Sequence, residues 1–126
     1  MAIRLDHTIV PAADKAASAK FFADIFGLAV KPGQGHFAQV QVNDSLTLDF
    51  ADEPEPFRSE HYAFHVSEAE FEAIFRRVKA RGLPYGSGPY RRTDGQLYTR
   101  RGGRGFYFDD PSGHVLEIMT VPETGN

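Results

Sequence analysis

The chain has 126 residues, 41% hydrophobic and 25% charged, enough for one compact domain with a real core and too few for two independent ones. A formal charge of -3 and the absence of cysteine exclude a general nucleic-acid-binding surface, disulfides and thiolate chemistry. No apolar run approaches the roughly 20 residues a membrane span needs, and MAIRLDHTIV starts strand-like without the pattern of a secretory signal, so the expectation is a cytoplasmic protein with no membrane partner.

In chain order, Ile3 to Val10 reads as a strand bounded by Pro11, and an Ala-rich helix follows from about Ala12 to Phe26, with Gly27 as its C-terminal cap. A turn at Pro32 to Gly35, a strand at Phe37 to Val42, a turn at Asn43-Asp44 and a return strand at Leu46 to Phe50 complete a first module, about residues 3–50. A further short strand is expected near Leu28 to Val30. ADEPEPFRSE, residues 51–60, has no apolar period and reads as a linker.

The second module, about residues 61–120, repeats the order. After the strand Tyr62 to Val66, Ser67 to Glu70 has the spacing of a capping box. Phe71, Ile74, Phe75 and Val78 then form one helical stripe, ended by Gly82. The Gly- and Arg-rich stretch Gly86 to Gly105 is expected to hold a strand around Gln96 to Thr99. Phe106 to Phe108, the turn Asp109 to Gly113 and the strand Val115 to Thr120 make a hairpin.

Each module opens with a histidine after an acidic residue, His7 and His61, and closes with a carboxylate between bulky apolar neighbours, Asp49 and Glu117. Two imidazoles and two carboxylates make a ligand set for one divalent metal. Period-two alternation sends Leu48, Phe50, Leu116 and Ile118 toward the helices and Asp49 and Glu117 to the opposite face. His61, Ala63 and His65 share a face by the same rule, so His61 and His65 are expected in one pocket. His36 and His114 read as exposed turn residues, and Arg91, Arg92, Arg100, Arg101 and Arg104 as a mostly solvated loop. Arg104, just before the strand that carries Tyr107, is the member placed to meet an anionic substrate.

The whole chain resembles the vicinal oxygen chelate superfamily, which includes glyoxalase I, bleomycin-resistance proteins, fosfomycin-resistance enzymes and extradiol dioxygenases. The paired modules, the Asp6-His7 start and the segment GRGFYFDDPSGHVLEI, residues 103–118, carry the resemblance. It implies an α+β fold in which two βαβββ modules form a half-closed eight-stranded barrel around a central metal, with a small-molecule substrate. It also implies a homodimer, in some members with modules exchanged so that one site draws on two chains. By position it makes His7, His61 and Glu117 metal ligands, Asp49 a fourth in the place of the usual Glu, and Tyr107 a substrate contact.

Such a site works by Lewis acidity, holding two adjacent substrate oxygens on the ion and stabilising charge that develops on them. With Asp49 bound, a 2-His-2-carboxylate centre suits Zn, Ni, Co or Mn and glyoxalase-type lyase or isomerase work, with Glu117 or Asp49 as the catalytic proton carrier. This is the first expectation. Without Asp49, the remaining triad suits Fe(II) and extradiol-type dioxygenase chemistry. A metal-free ligand-binding protein of the bleomycin-resistance kind is a further alternative, and a glutathione transferase a weaker one, because no fosfomycin-type potassium loop is evident between Gly86 and Gly105.

Overall fold

The computed structural model describes residues 3–33 and 35–123. Its contacts separate two compact units, Met1–Arg58 and Ser59–Asn126. The border falls inside the acidic, proline-bearing stretch read as a linker.

The first unit contains strand β1 (His7–Ala12), helix α1 (Lys15–Phe26) and strands β2 (Ala38–Gln41) and β3 (Thr47–Asp52). The sheet order is β1-β3-β2, with β1 parallel and β2 antiparallel to β3. The strand does not stop at Pro11, because β1 is an edge strand, where a residue without an N–H need not break the ladder. Asp14 caps α1 by accepting a hydrogen bond from the Ala17 amide, which starts the helix at Lys15 and not at Ala12. Gly27 ends it at φ 73°, a left-handed conformation that glycine adopts without steric cost. Phe22 of α1 packs on Phe50 of β3 at 6.0 Å between ring centres, in a core with Val10, Ile25, Val40 and Leu48.

The second unit contains β4 (His61–His65), α2 (Glu68–Ala80), β5 (Tyr98–Arg100), β6 (Gly103–Asp109) and β7 (Val115–Met119), in the sheet order β4-β7-β6-β5. β4 runs parallel to β7, and the other pairs are antiparallel. Both halves of the expected capping box form: the Ser67 hydroxyl accepts from the Glu70 amide and the Glu70 carboxylate accepts from the Ser67 amide. At the other end the Gly82 amide donates to Lys79 and the Leu83 amide to Val78, the paired bonds of a glycine-terminated helix. Phe71 and Phe106 are fully buried and meet edge to face at 5.4 Å. Truncating either to Ala removes about 3–5 kcal/mol.

The described residues form an α+β fold with two units of like order and one strand fewer than the eight expected. They make seven strands in two sheets, of three and four. The segment expected to add a strand near residues 28–30 pairs only through a Val30–Val40 bridge, and the turn at Pro32-Gly33 ends that pairing.

Candidate functional site

In the second unit, parallel pairing sets His61 opposite Val115 and Ala63 opposite Glu117, while Tyr107 of β6 faces Glu117 across the antiparallel pair. His61, His65, Tyr107, Glu117 and Met119 therefore share the face turned away from α2. Glu117 is only 4% exposed, so its carboxylate needs donors to offset desolvation. His61 Nε2 lies 3.0 Å from Glu117 Oε1, and the Tyr98 hydroxyl donates to Oε2 at 2.5 Å. Tyr107 completes an aromatic wall, its ring centre 5.7 Å from that of His61 and 5.8 Å from that of Tyr98. Burial, and then the charge of Glu117, push the Tyr107 hydroxyl up to about 12. Burial and the hydrogen bond to Glu117 push Tyr98 higher still. Both phenols stay protonated donors at neutral pH.

Tyr98 reaches Glu117 because the strand between them carries a glycine. Tyr98 pairs with Gly105, and a Cβ there would fall 2.3 Å from the phenol Cζ and hydroxyl oxygen. The ring thus lies across β6 at a point where no side chain stands.

The first unit repeats the arrangement in register. His7 pairs with Thr47 and Asp49 follows two residues on, just as His61 pairs with Val115 and Glu117 follows two residues on. The partners differ. Asp49, 6% exposed, accepts at Oδ1 from the Gln39 amide at 2.9 Å, where Glu117 has tyrosines. His7 is exposed, its Nδ1 2.7 Å from Asp6 Oδ2, and that hydrogen bond holds the imidazole above its ordinary 6.5.

A divalent ion fits the donor chemistry of the His61–Glu117 pair. Two ligands each about 2.1 Å from an ion and at right angles are about 3.0 Å apart, the separation seen here. Among the described residues, however, no three His, Cys, Asp or Glu side chains are grouped to hold a metal ion. The structure brings together His61 and Glu117, with Tyr107 beside them and His65 on the same face, where its Nε2 is 3.2 Å from the Thr120 carbonyl oxygen.

Two sequence readings need correction. Arg104 shares strand parity with Phe106 and Phe108, and so points to the helix side. It lies over the Phe71 ring at 4.4 Å and pairs with Glu68 and Glu72, away from Glu117. The guanidinium on the site face is Arg100, which lies 5.4 Å from the Tyr98 ring centre. Among the described residues its Nε is buried without a hydrogen-bond partner, and its Nη2 meets the Met119 sulfur and the Val121 carbonyl, each at 3.4 Å. His114 is not an exposed turn residue but 0% exposed, accepting at Nδ1 from the Glu60 amide and meeting Tyr62 edge to face. It thereby ties the entry of β4, and so His61, to β7. Tyr98 was not singled out by the sequence; the signal for it was the Gly103/Gly105 alternation opposite β5.

The family model of the Glyoxalase/Bleomycin resistance protein/Dioxygenase superfamily matches residues 4–118. Among solved structures, oxidase ChaP-H1 is 50% identical, with a TM-score of 0.91 over 98% of this chain and 100% of that one. Oxidase ChaP-H2 is 47% identical, with a TM-score of 0.93 over 99% of this chain and 98% of its own. Glutathione transferase FosA of Serratia marcescens is 28% identical over 120 residues, 90% of this chain and 78% of that protein. No helix among the described residues is long and apolar enough to cross a membrane.

Proposed function

Because the chain belongs to the Glyoxalase/Bleomycin resistance protein/Dioxygenase superfamily, we propose that it is a metal-dependent oxidase of small oxygen-bearing molecules, with His7, His61 and Glu117 as ligands of Fe(II) and dioxygen as the oxidant. The observation that carries this reading is the state of Asp49. Its carboxylate is buried against Gln39 and is one methylene shorter than the glutamate of a 2-His-2-carboxylate centre. Setting it aside leaves two imidazoles and one carboxylate, the set suited to non-haem iron and oxygen. The likeness to two proteins named as oxidases, at 47% and 50% identity, supports the same choice.

When bound, the ion supplies Lewis acidity and a route for electrons to oxygen. The chain supplies the rest. His61 and Glu117 offer one nitrogen and one oxygen, and the protonated Tyr107 donates a hydrogen bond toward a substrate oxygen. Arg100 presents positive charge to an anionic group. His65 borders the same face.

This reading takes His7 from a second copy, the arrangement that module exchange in the family implies, and the working form is a cytoplasmic homodimer. Exposed Ile3, Leu5 and Ile9 supply apolar surface for such an association. The equal register of Asp49 and Glu117 favours, as second reading, a glyoxalase-type isomerase using all four residues.

The test is anaerobic reconstitution with Fe(II), Zn(II) or Ni(II), followed by oxygen-electrode assays with catechols and hydroxyquinones and by isomerisation of the methylglyoxal–glutathione adduct. Oxygen uptake confined to the Fe(II) form is expected. Adduct turnover by the Zn(II) or Ni(II) form without oxygen uptake would replace the oxidase with the isomerase.

A further inference from the structure

The strand β6 carries glycine at positions 103 and 105, both on the site face, and each lies beneath a side chain from elsewhere. A Cβ at Gly105 would strike Tyr98, and one at Gly103 would strike Val121 at 2.2 Å. Through the Gly105 notch, Tyr98 crosses from β5 over β6 to β7 and meets Glu117 at Oε2. The other oxygen, Oε1, is the one that faces His61. The two carboxylate oxygens are thus held in different environments. A tyrosine filling ordinary space would not need a strand emptied of side chain to reach its acceptor.

Resting on the reading of Glu117 as a metal ligand, we propose that Tyr98 is a positioning residue that occupies one oxygen of Glu117, so that the carboxylate offers a divalent ion a single oxygen. A carboxylate free to bind through both oxygens fills two coordination positions. Held to one, it leaves a position for substrate or dioxygen, which a chelating substrate needs. Outer partners of this kind orient ligands, and their loss typically costs about 10–100-fold in metal affinity.

Cobalt(II) is the probe, because its visible absorption weakens as coordination number rises. The metal-depleted full-length protein, Tyr98→Phe, Gly105→Ala and Glu117→Gln are titrated with Co(II), with circular dichroism recorded on each. The wild type is expected to bind with a defined visible band and Glu117→Gln to lose that binding. Tyr98→Phe keeps the fold but binds about 10–100-fold more weakly, with a weaker, shifted band. Gly105→Ala retains the phenol but denies it its seat, so it should reproduce the Tyr98→Phe spectrum and serves as the second variant if Tyr98→Phe is poorly folded. A Tyr98→Phe band identical to that of wild type overturns the positioning role while leaving the metal reading intact. A wild type that does not bind Co(II), or a Glu117→Gln variant that binds it equally well, overturns both.

Discussion

Gly105 lies directly under the phenol of Tyr98, with 2.3 Å between the place its Cβ would take and the ring's Cζ and hydroxyl oxygen. A methyl group there also approaches the Ile118 carbonyl oxygen at 2.7 Å. Gly105→Ala should therefore cost about 1–3 kcal/mol of stability by overpacking. In a Tyr98→Ala background most of the clash is gone, and the cost should shrink by about 1 kcal/mol or more. Urea denaturation of the four proteins of this cycle measures the coupling; strictly additive losses would mean that the two residues do not share space.

Arg100 and Arg104 should separate cleanly in kinetics. A hydrogen bond to a charged group is worth about 1.5–3 kcal/mol, so Arg100→Gln should raise KM for an anionic substrate by about ten-fold or more. Arg104→Gln, on the helix side with Glu68 and Glu72, should leave KM alone and lower Tm slightly. Steady-state oxygen uptake and thermal melts of both variants check this pair of outcomes.

A site shared between two copies predicts complementation. His7→Ala and Glu117→Gln should each lose metal and activity alone. In a mixed dimer made by co-refolding, one site receives both defects and the other receives neither. About half of the wild-type metal content per mixed dimer should return. No recovery, with dimers demonstrably mixed, would place all ligands of a site in one chain.

The capping box of α2 predicts a pH effect of known sign. Hydrogen bonds from the Ser67 amide, and next from its side chain, hold the Glu70 carboxylate below its ordinary 4.5. A folded value below the unfolded one stabilises the fold fully above the unfolded value and is lost as pH falls through the folded one. Ser67→Ala should cost about 1 kcal/mol at pH 7. Glu70→Gln, which does not titrate, should flatten the fall in stability below pH 4.5, measured by denaturation across pH 3–6, whereas Ser67→Ala keeps the backbone amide that contributes most and should leave most of that fall in place.

Much of this molecule was legible because it is a matter of period. Strand alternation sent Leu48, Phe50, Leu116 and Ile118 to the helix side and left Asp49 and Glu117 opposite, and the Ser67–Glu70 spacing marked the start of α2. The same rule also reads His114 and Arg104, since His114 has the parity of Leu116 and Arg104 that of Phe106. The adjoining turn made His114 look exposed, and the nearness of Tyr107 made Arg104 look like a substrate contact. What a one-dimensional pattern does not contain is which glycine faces which side chain on the next strand. The pairing of Tyr98 with Gly105 depends on register across a loop. The engagement of Asp49 by Gln39 likewise depends on cross-strand register.

Pro11 bears on how a second chain can approach. It sits in the edge strand β1 two residues beyond Ile9, which is 51% exposed. Strand-by-strand extension of that sheet, the route to fibrils, meets a position with no amide to offer. A neighbour that covers Ile9 must therefore seat its side chains on it face-on, so that the sticky patch can serve a finite complex without seeding an endless one.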